Sequence, residues 1–106
     1  MYLKQGVSLK LLQACMFPAM IVCIDYFDSI NKDFTITSGD DSKHLTNSKH
    51  YIGLAFDVRS RELSDIEKFN FRIYFTERLD NCFYFLQESD HFHIQYDESV
   101  SETPWP

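Results

Sequence analysis

Gly53-Leu54-Ala55-Phe56-Asp57-Val58 and His91-Phe92-His93-Ile94-Gln95-Tyr96 are the two stretches on which the reading of this chain turns. Each alternates apolar with polar or small residues, the period of a strand with one face in a core. Residues two apart on a strand share a face, so His91 and His93 aim at one pocket. Asp57 shares a face with Ala55, whose small side chain leaves room beside it. His50 stands just before the first stretch, at the end of a loop. A turn through Tyr51-Ile52-Gly53 brings His50 and Asp57 to one point, and Gly53 suits such a turn because it tolerates backbone that other residues resist.

Outward from these strands, Phe34-Thr35-Ile36-Thr37 reads as a further strand, and Cys82 to Gln87 as the partner of His91 to Tyr96 across a tight turn at Ser89-Asp90. Ser64, with Glu67 three residues on, is a capping-box signature for a helix running to about Leu79. Its apolar residues Ile66, Phe69 and Ile73, with Phe71, Phe75 and Leu79, predict a broad buried face. Leu12, Met16, Met20, Cys23, Phe27 and Ile30 recur at helical steps. Pro18 bends or divides that helix, and Asn31-Lys32-Asp33 ends it. Ser38 to Ser48 is a polar loop holding His44, which has no partner pattern. The order helix, strand, strand, helix, strand, strand predicts an α+β domain: a small antiparallel sheet with helices packed on one side. Residues 1–106 read as a single domain with a polar tail from about residue 97.

Composition narrows the function. The hydrophobic fraction of 44% and the charged fraction of 25% are those of a globular chain, which excludes disorder as the default. A formal net charge of −6 argues against a nucleic-acid binder, which needs a basic face to displace counterions. Cys15, Cys23 and Cys82 are odd in number and irregular in spacing, so they read as free core thiols. Leu11 to Ile24, the most apolar stretch, is too short to span a bilayer and reads as a buried helix without a clear signal peptide.

The chemistry lies in His50, Asp57, His91 and His93, with Glu88 and Asp90 alongside. Two imidazoles, one carboxylate and a water make an open tetrahedral zinc site. Ser48-x-His50-x-x-Gly53-x-Ala55-x-Asp57 matches the S-x-H-x-x-G-x-A-x-D motif of the zinc D-Ala-D-Ala carboxypeptidases at every defined position, and Asp90-His91-Phe92-His93 resembles the D-H-x-H element of the same family. Thr37-Ser38-Gly39 resembles its T-S-G element. The resemblance covers roughly Phe34 to Tyr96. The family includes D-Ala-D-Ala dipeptidases and L-alanyl-D-glutamate endolysins, and the hedgehog domain shares its fold.

The resemblance implies a hedgehog/DD-peptidase-like fold and a zinc metallopeptidase that hydrolyses a peptide bond in peptidoglycan stem peptides through zinc-activated water. It implies zinc ligands His50, Asp57 and His93, with Asp90 as the base and His91 stabilising the transition state or orienting the substrate. A second register stays open, in which Glu88 is the base and His91 the ligand, because Glu88 precedes His91 by the same three residues that separate Asp90 from His93. Ser48 supports the His50 turn and is no nucleophile. One departure stands out: family members commonly carry an arginine shortly after T-S-G to hold a substrate carboxylate, and here Asp40-Asp41-Ser42-Lys43 follows. Lys43 or Arg59 is left to supply that charge. The alternative is a zinc-stabilised binding module of the same fold without catalysis. The expected partner is a stem peptide or related D-amino-acid peptide, with no nucleic acid and no membrane span. The expected setting is cytoplasmic synthesis and action at the cell wall on lysis.

Overall fold

The computed structural model describes residues 1–40 and 53–97. His44, Lys43, Ser48 and His50, and the tail beyond Asp97, lie outside the described residues. The rest is a small α+β domain with a five-stranded mixed sheet and two helices. In chain order the elements are β1 (Tyr2–Leu3), α1 (Phe17–Ser29), β2 (Thr35–Ser38), β3 (Ala55–Arg59), α2 (Asp65–Arg78), β4 (Phe83–Gln87) and β5 (His91–Tyr96). The sheet order is β1-β2-β3-β5-β4. Four strands pair antiparallel as expected. The expectation of a purely antiparallel sheet is corrected at one edge, where β1 runs parallel to β2. Two residues are too few to show a period, so β1 left no pattern to read.

The sheet's inner face is set by alternation. Ile36, Phe56, Val58, Phe92 and Ile94 are buried, and the helices' aromatic side chains meet them. Phe71 of α2 stacks on Phe92, with centroids 4.9 Å apart and planes 6° from parallel. Tyr26 and Phe27 of α1 pack edge-on against Phe71. Burying rings of this size is worth roughly 1.5–3 kcal/mol each, so this aromatic cluster carries much of the fold.

Both helices begin where local chemistry says they should. Ser64 accepts from the Glu67 N–H, and the Glu67 side chain accepts from the Ser64 N–H, closing the capping box. Pro18 falls in the first turn of α1, where no helical N–H is needed, after a short 3-10 turn at Ala14–Met16. It marks the start of α1 rather than a bend within it. Asn31, at φ 57°, takes the left-handed conformation that ends the helix.

The expected broad apolar face of α2 is corrected. Phe71 and Phe75 are buried, whereas Ile66, Phe69 and Ile73 are exposed on the side away from the sheet. A sheet covers only one stripe of a helix, and the six apolar residues exceed that stripe. Phe17, Ile21 and Ile24 of α1 are exposed in the same way, so α1 is buried along one face only. Among the described residues Cys15, Cys23 and Cys82 form no disulfide. No described helix is long and apolar enough to cross a membrane.

The segment Ser8 to Gln13 is pressed against Asp40 and Gly53. Asp40 N–H donates to Ser8 O at 2.9 Å, and Gln13 N–H donates to Gly53 O at 2.9 Å. The Asp40 carboxylate accepts from Leu11 N–H at 2.7 Å. Gly53 has φ +74°, and a Cβ there would overlap the Leu11 carbonyl oxygen. Strained backbone and backbone overlap therefore act together at this position, which no other side chain relieves. Gly53→Ala is expected to destabilise the protein by at least about 2 kcal/mol, read by urea unfolding. A loss below about 0.5 kcal/mol, the level of an ordinary surface change, contradicts the close approach.

Candidate functional site

Because Phe56, Val58, Phe92 and Ile94 face the core, Asp57, Arg59, His91, His93 and Gln95 face the other way. The antiparallel register sets Asp57 directly opposite His93 and Arg59 opposite His91. His93 Nδ1 lies 3.0 Å from Asp57 Oδ1, and its Nε2 lies 2.7 Å from Gln95 Oε1. Both partners are acceptors, so the imidazole satisfies them together only when both ring nitrogens carry a proton. Burial pushes the His93 pKa down. The hydrogen bonds with Asp57 and Gln95, and the charges of Asp57 and Glu88, outweigh burial and hold it above the ordinary value.

His91 lies one pair further along. Its Nδ1 is 2.8 Å from Asp90 Oδ1, which turns Nε2 toward Asp57 Oδ2 and Glu88 Oε1, each 3.9 Å away. The hydrogen bond from His91 is the main reason that the Asp90 carboxyl stays below the usual range, with a smaller share from Arg61. Asp57 and His93 are sheltered, with side chains 13% and 17% exposed, while Asp90 stands 72% exposed on the hairpin turn. The turn closes with Glu88 N–H donating to His91 O.

Beside Asp57 and His91 the sheet opens into a cleft of about 230 Å³ lined by Lys4, Thr37, Ser38, Asp57, Arg59, Arg61, Asp90 and His91. Thr37 and Ser38 both reach it although they are consecutive. The reason is an irregular register: Ile36 pairs with Val58 and Ser38 with Asp57, so β2 takes two steps against one on β3. Larger hollows lie between the end of α2 and β4, around Phe75, Asn81 and Phe83; one of them extends to Gln95, and no histidine lines either.

Of the residues singled out in the sequence, Asp57, His91, His93, Asp90 and Glu88 come together at one end of β3 and β5. His50 lies outside the described residues. Among the described residues no group of three His, Cys, Asp or Glu side chains is disposed to hold a metal ion. Two carboxylate–imidazole pairs meet within hydrogen-bond distance, Asp57 with His93 at 3.0 Å and Asp90 with His91 at 2.8 Å. The sequence reading missed Gln95, Lys4 and Arg61. For Gln95 the signal was present, since His91-x-His93-x-Gln95 puts all three on one face. Lys4 reaches the cleft through β1 and had no such signal. No protein family, curated protein or solved structure matches this chain.

The raised His93 pKa gives a signed expectation for metal-free protein. Its stabilisation is fully present below pH 6.5, the ordinary value, and is lost as pH rises through the higher folded-state value. The gap in Tm between wild type and His93→Gln should therefore narrow between about pH 6 and about pH 9. A gap that widens over that range contradicts the Asp57–His93 pairing.

Proposed function

We propose that this chain is a zinc-dependent peptidase of hedgehog/DD-peptidase-like fold acting on peptidoglycan stem peptides, with Asp57, His93 and His50 as the metal ligands. The observation that carries the reading is the contact of Asp57 with His93, the two motif residues that come from separate elements. Two donors each about 2.0–2.1 Å from a tetrahedral zinc stand about 3.3 Å apart, and these stand 3.0 Å apart. Gln95 adds support: a metal-binding histidine normally gives its other N–H to an oxygen acceptor, and Gln95 Oε1 accepts from His93 Nε2. These two donors are spaced as a pair of zinc ligands would be, which supports the reading.

When bound, zinc would acidify a water and polarise a peptide carbonyl. The chain's own residues do the rest. Asp57 and His93 would hold the ion against the paired strands β3 and β5. Asp90 orients the His91 ring, so that Nε2 faces the centre and donates to charge developing on the substrate. Proton transfer to the leaving amine needs a carboxylate within reach. Asp90 is the preferred base, as the D-H-x-H register implies. Glu88 is the alternative, supported by its approach to His91 Nε2 at 3.9 Å.

The non-catalytic binding module has one observation in its favour. Asp40, in the neighbourhood where the family commonly carries its arginine, is committed to the Leu11 N–H. Arg59 lines the cleft beside Asp57 and is the remaining candidate of the two cations named for that role within the described residues.

Zinc titration and hydrolysis assays separate the readings. Wild type should bind about one zinc per chain and release D-Ala or D-Glu fragments from purified cell wall. Asp57→Asn and His93→Ala should lose both metal and activity. Gln95→Ala should weaken zinc binding about tenfold while leaving the ligand set intact. Zinc-loaded protein that is inert on every stem peptide supports the binding module and overturns catalysis. Tight zinc binding that survives both ligand substitutions overturns the site.

A further inference from the structure

β1, two residues long, forms one edge of the sheet, and β4 forms the other. Natural sheets guard a long edge with charge, proline or a bulge, because its unpaired backbone groups attract a further strand. β4 has none of these. Phe83-Tyr84-Phe85-Leu86-Gln87 carries no charge and no proline, and its register with β5 runs unbroken.

The ladder shows which backbone groups face outward. Cys82 O accepts from Asp97 N–H at one end, and Glu88 N–H donates to His91 O at the other. In an antiparallel pair every second residue bonds to the neighbouring strand, so residues 82, 84, 86 and 88 face β5. Phe83, Phe85 and Gln87 therefore turn their backbone groups to the open edge. The Phe83 N–H donates to Asp80 O at 3.2 Å. The N–H groups of Phe85 and Gln87, and the carbonyls of Phe83, Phe85 and Gln87, have no partner among the described residues.

That set is self-complementary. Two antiparallel copies of β4, related by a two-fold axis at Phe85, set Phe85 opposite Phe85 and Gln87 opposite Phe83. Each Phe85 N–H then donates to the other copy's Phe85 O, and each Gln87 N–H to the other copy's Phe83 O. Every outward N–H of the two strands finds an acceptor. The same register sets Tyr84 against the other copy's Leu86 in the close, non-hydrogen-bonded pairs. These two side chains are 50% and 41% exposed. On the core side, Phe83 and Phe85 are the partly buried rim of the aromatic cluster, packed on Phe75. A second copy would carry that cluster past its open end. Charge also allows the approach: each chain carries −6, yet no charged residue lies between Asp80 and Glu88.

We propose that β4 is the interface of a symmetric homodimer, in which two five-stranded sheets join edge to edge into one of ten strands. The contact is isologous and closes on itself. Its axis stands perpendicular to the sheet, so the outer faces bearing Asp57 and His93 open to the same side in both copies. The interface needs no metal and stands apart from the peptidase reading.

The test is sedimentation equilibrium of the full chain under reducing conditions. Monomer should pass to dimer between about 5 µM and about 1 mM. Gln87→Pro removes an outward N–H and no bond to β5, so it should weaken the dimer at least about tenfold. Tyr84→Lys should weaken it as much, because it sets an ammonium against Leu86 at both ends of the strand pair. Ile66→Lys, on the exposed face of α2, should leave dimerisation unchanged. In amide exchange read by NMR, Phe85 and Gln87 should be at least about tenfold better protected at about 1 mM than at about 20 µM. A monomer at every concentration, an oligomer larger than a dimer, wild-type dimerisation in both β4 variants, or loss of the dimer in Ile66→Lys each overturns the proposal. So does a monomer whose Phe85 and Gln87 amides are already protected, which puts another segment of this chain on the edge.

Discussion

The pairing register of β3 with β5 is the constraint on which the rest depends. Side chains on a strand alternate, so a slip of one residue exchanges the two faces completely. Phe56, Val58, Phe92 and Ile94 must stay under the helices, where Phe71 and Phe75 pack on the sheet. That requirement leaves Asp57 opposite His93 and Arg59 opposite His91 on the outer face. The core thus pins the site. Polar side chains that attract and repel one another are held in fixed order by apolar ones that cannot leave the other side.

Two smaller devices refine this arrangement. The register irregularity in β2 turns consecutive residues Thr37 and Ser38 toward the same cleft. The Ser8–Gln13 segment grips Asp40 and Gly53, the described residues flanking the 41–52 stretch that contains His50. The two glycines of this region serve that grip, because a Cβ on either Gly39 or Gly53 would overlap the backbone of this segment. Gly53 thereby has a packing reason, besides its turn, to be glycine within the His50–Asp57 motif. Asp40, a departure from the motif's usual surroundings, has one as well.

What could be read from sequence was what depends on local period and capping. β5 runs from His91 to Tyr96 as its alternation says, and the Ser64–Glu67 box starts α2 where expected. The meeting of Asp57 with the later histidines was legible too, because each lies on a strand whose apolar residues declare the opposite face. Partnership in space was harder. β1 is two residues long and joins β2 in parallel, so Lys4 gave no sign that it would stand beside Arg59 and Arg61. Ile66, Phe69 and Ile73 are as apolar as Phe71 and Phe75. Only the sheet's position decides which of them it covers. Gln95 was overlooked because an amide attracts less notice than an imidazole, although its hydrogen bond orients His93.

The central claim is that Asp57 and His93 share one zinc ion. An anomalous-difference map collected at the zinc edge from crystals grown with zinc tests it directly. The account predicts a single strong peak in contact with Asp57 Oδ1 and the His93 ring, with His50 as the further protein ligand. A map with no peak at Asp57, or with a peak held by His91 while His93 stays bonded to Asp57 and Gln95, would contradict it.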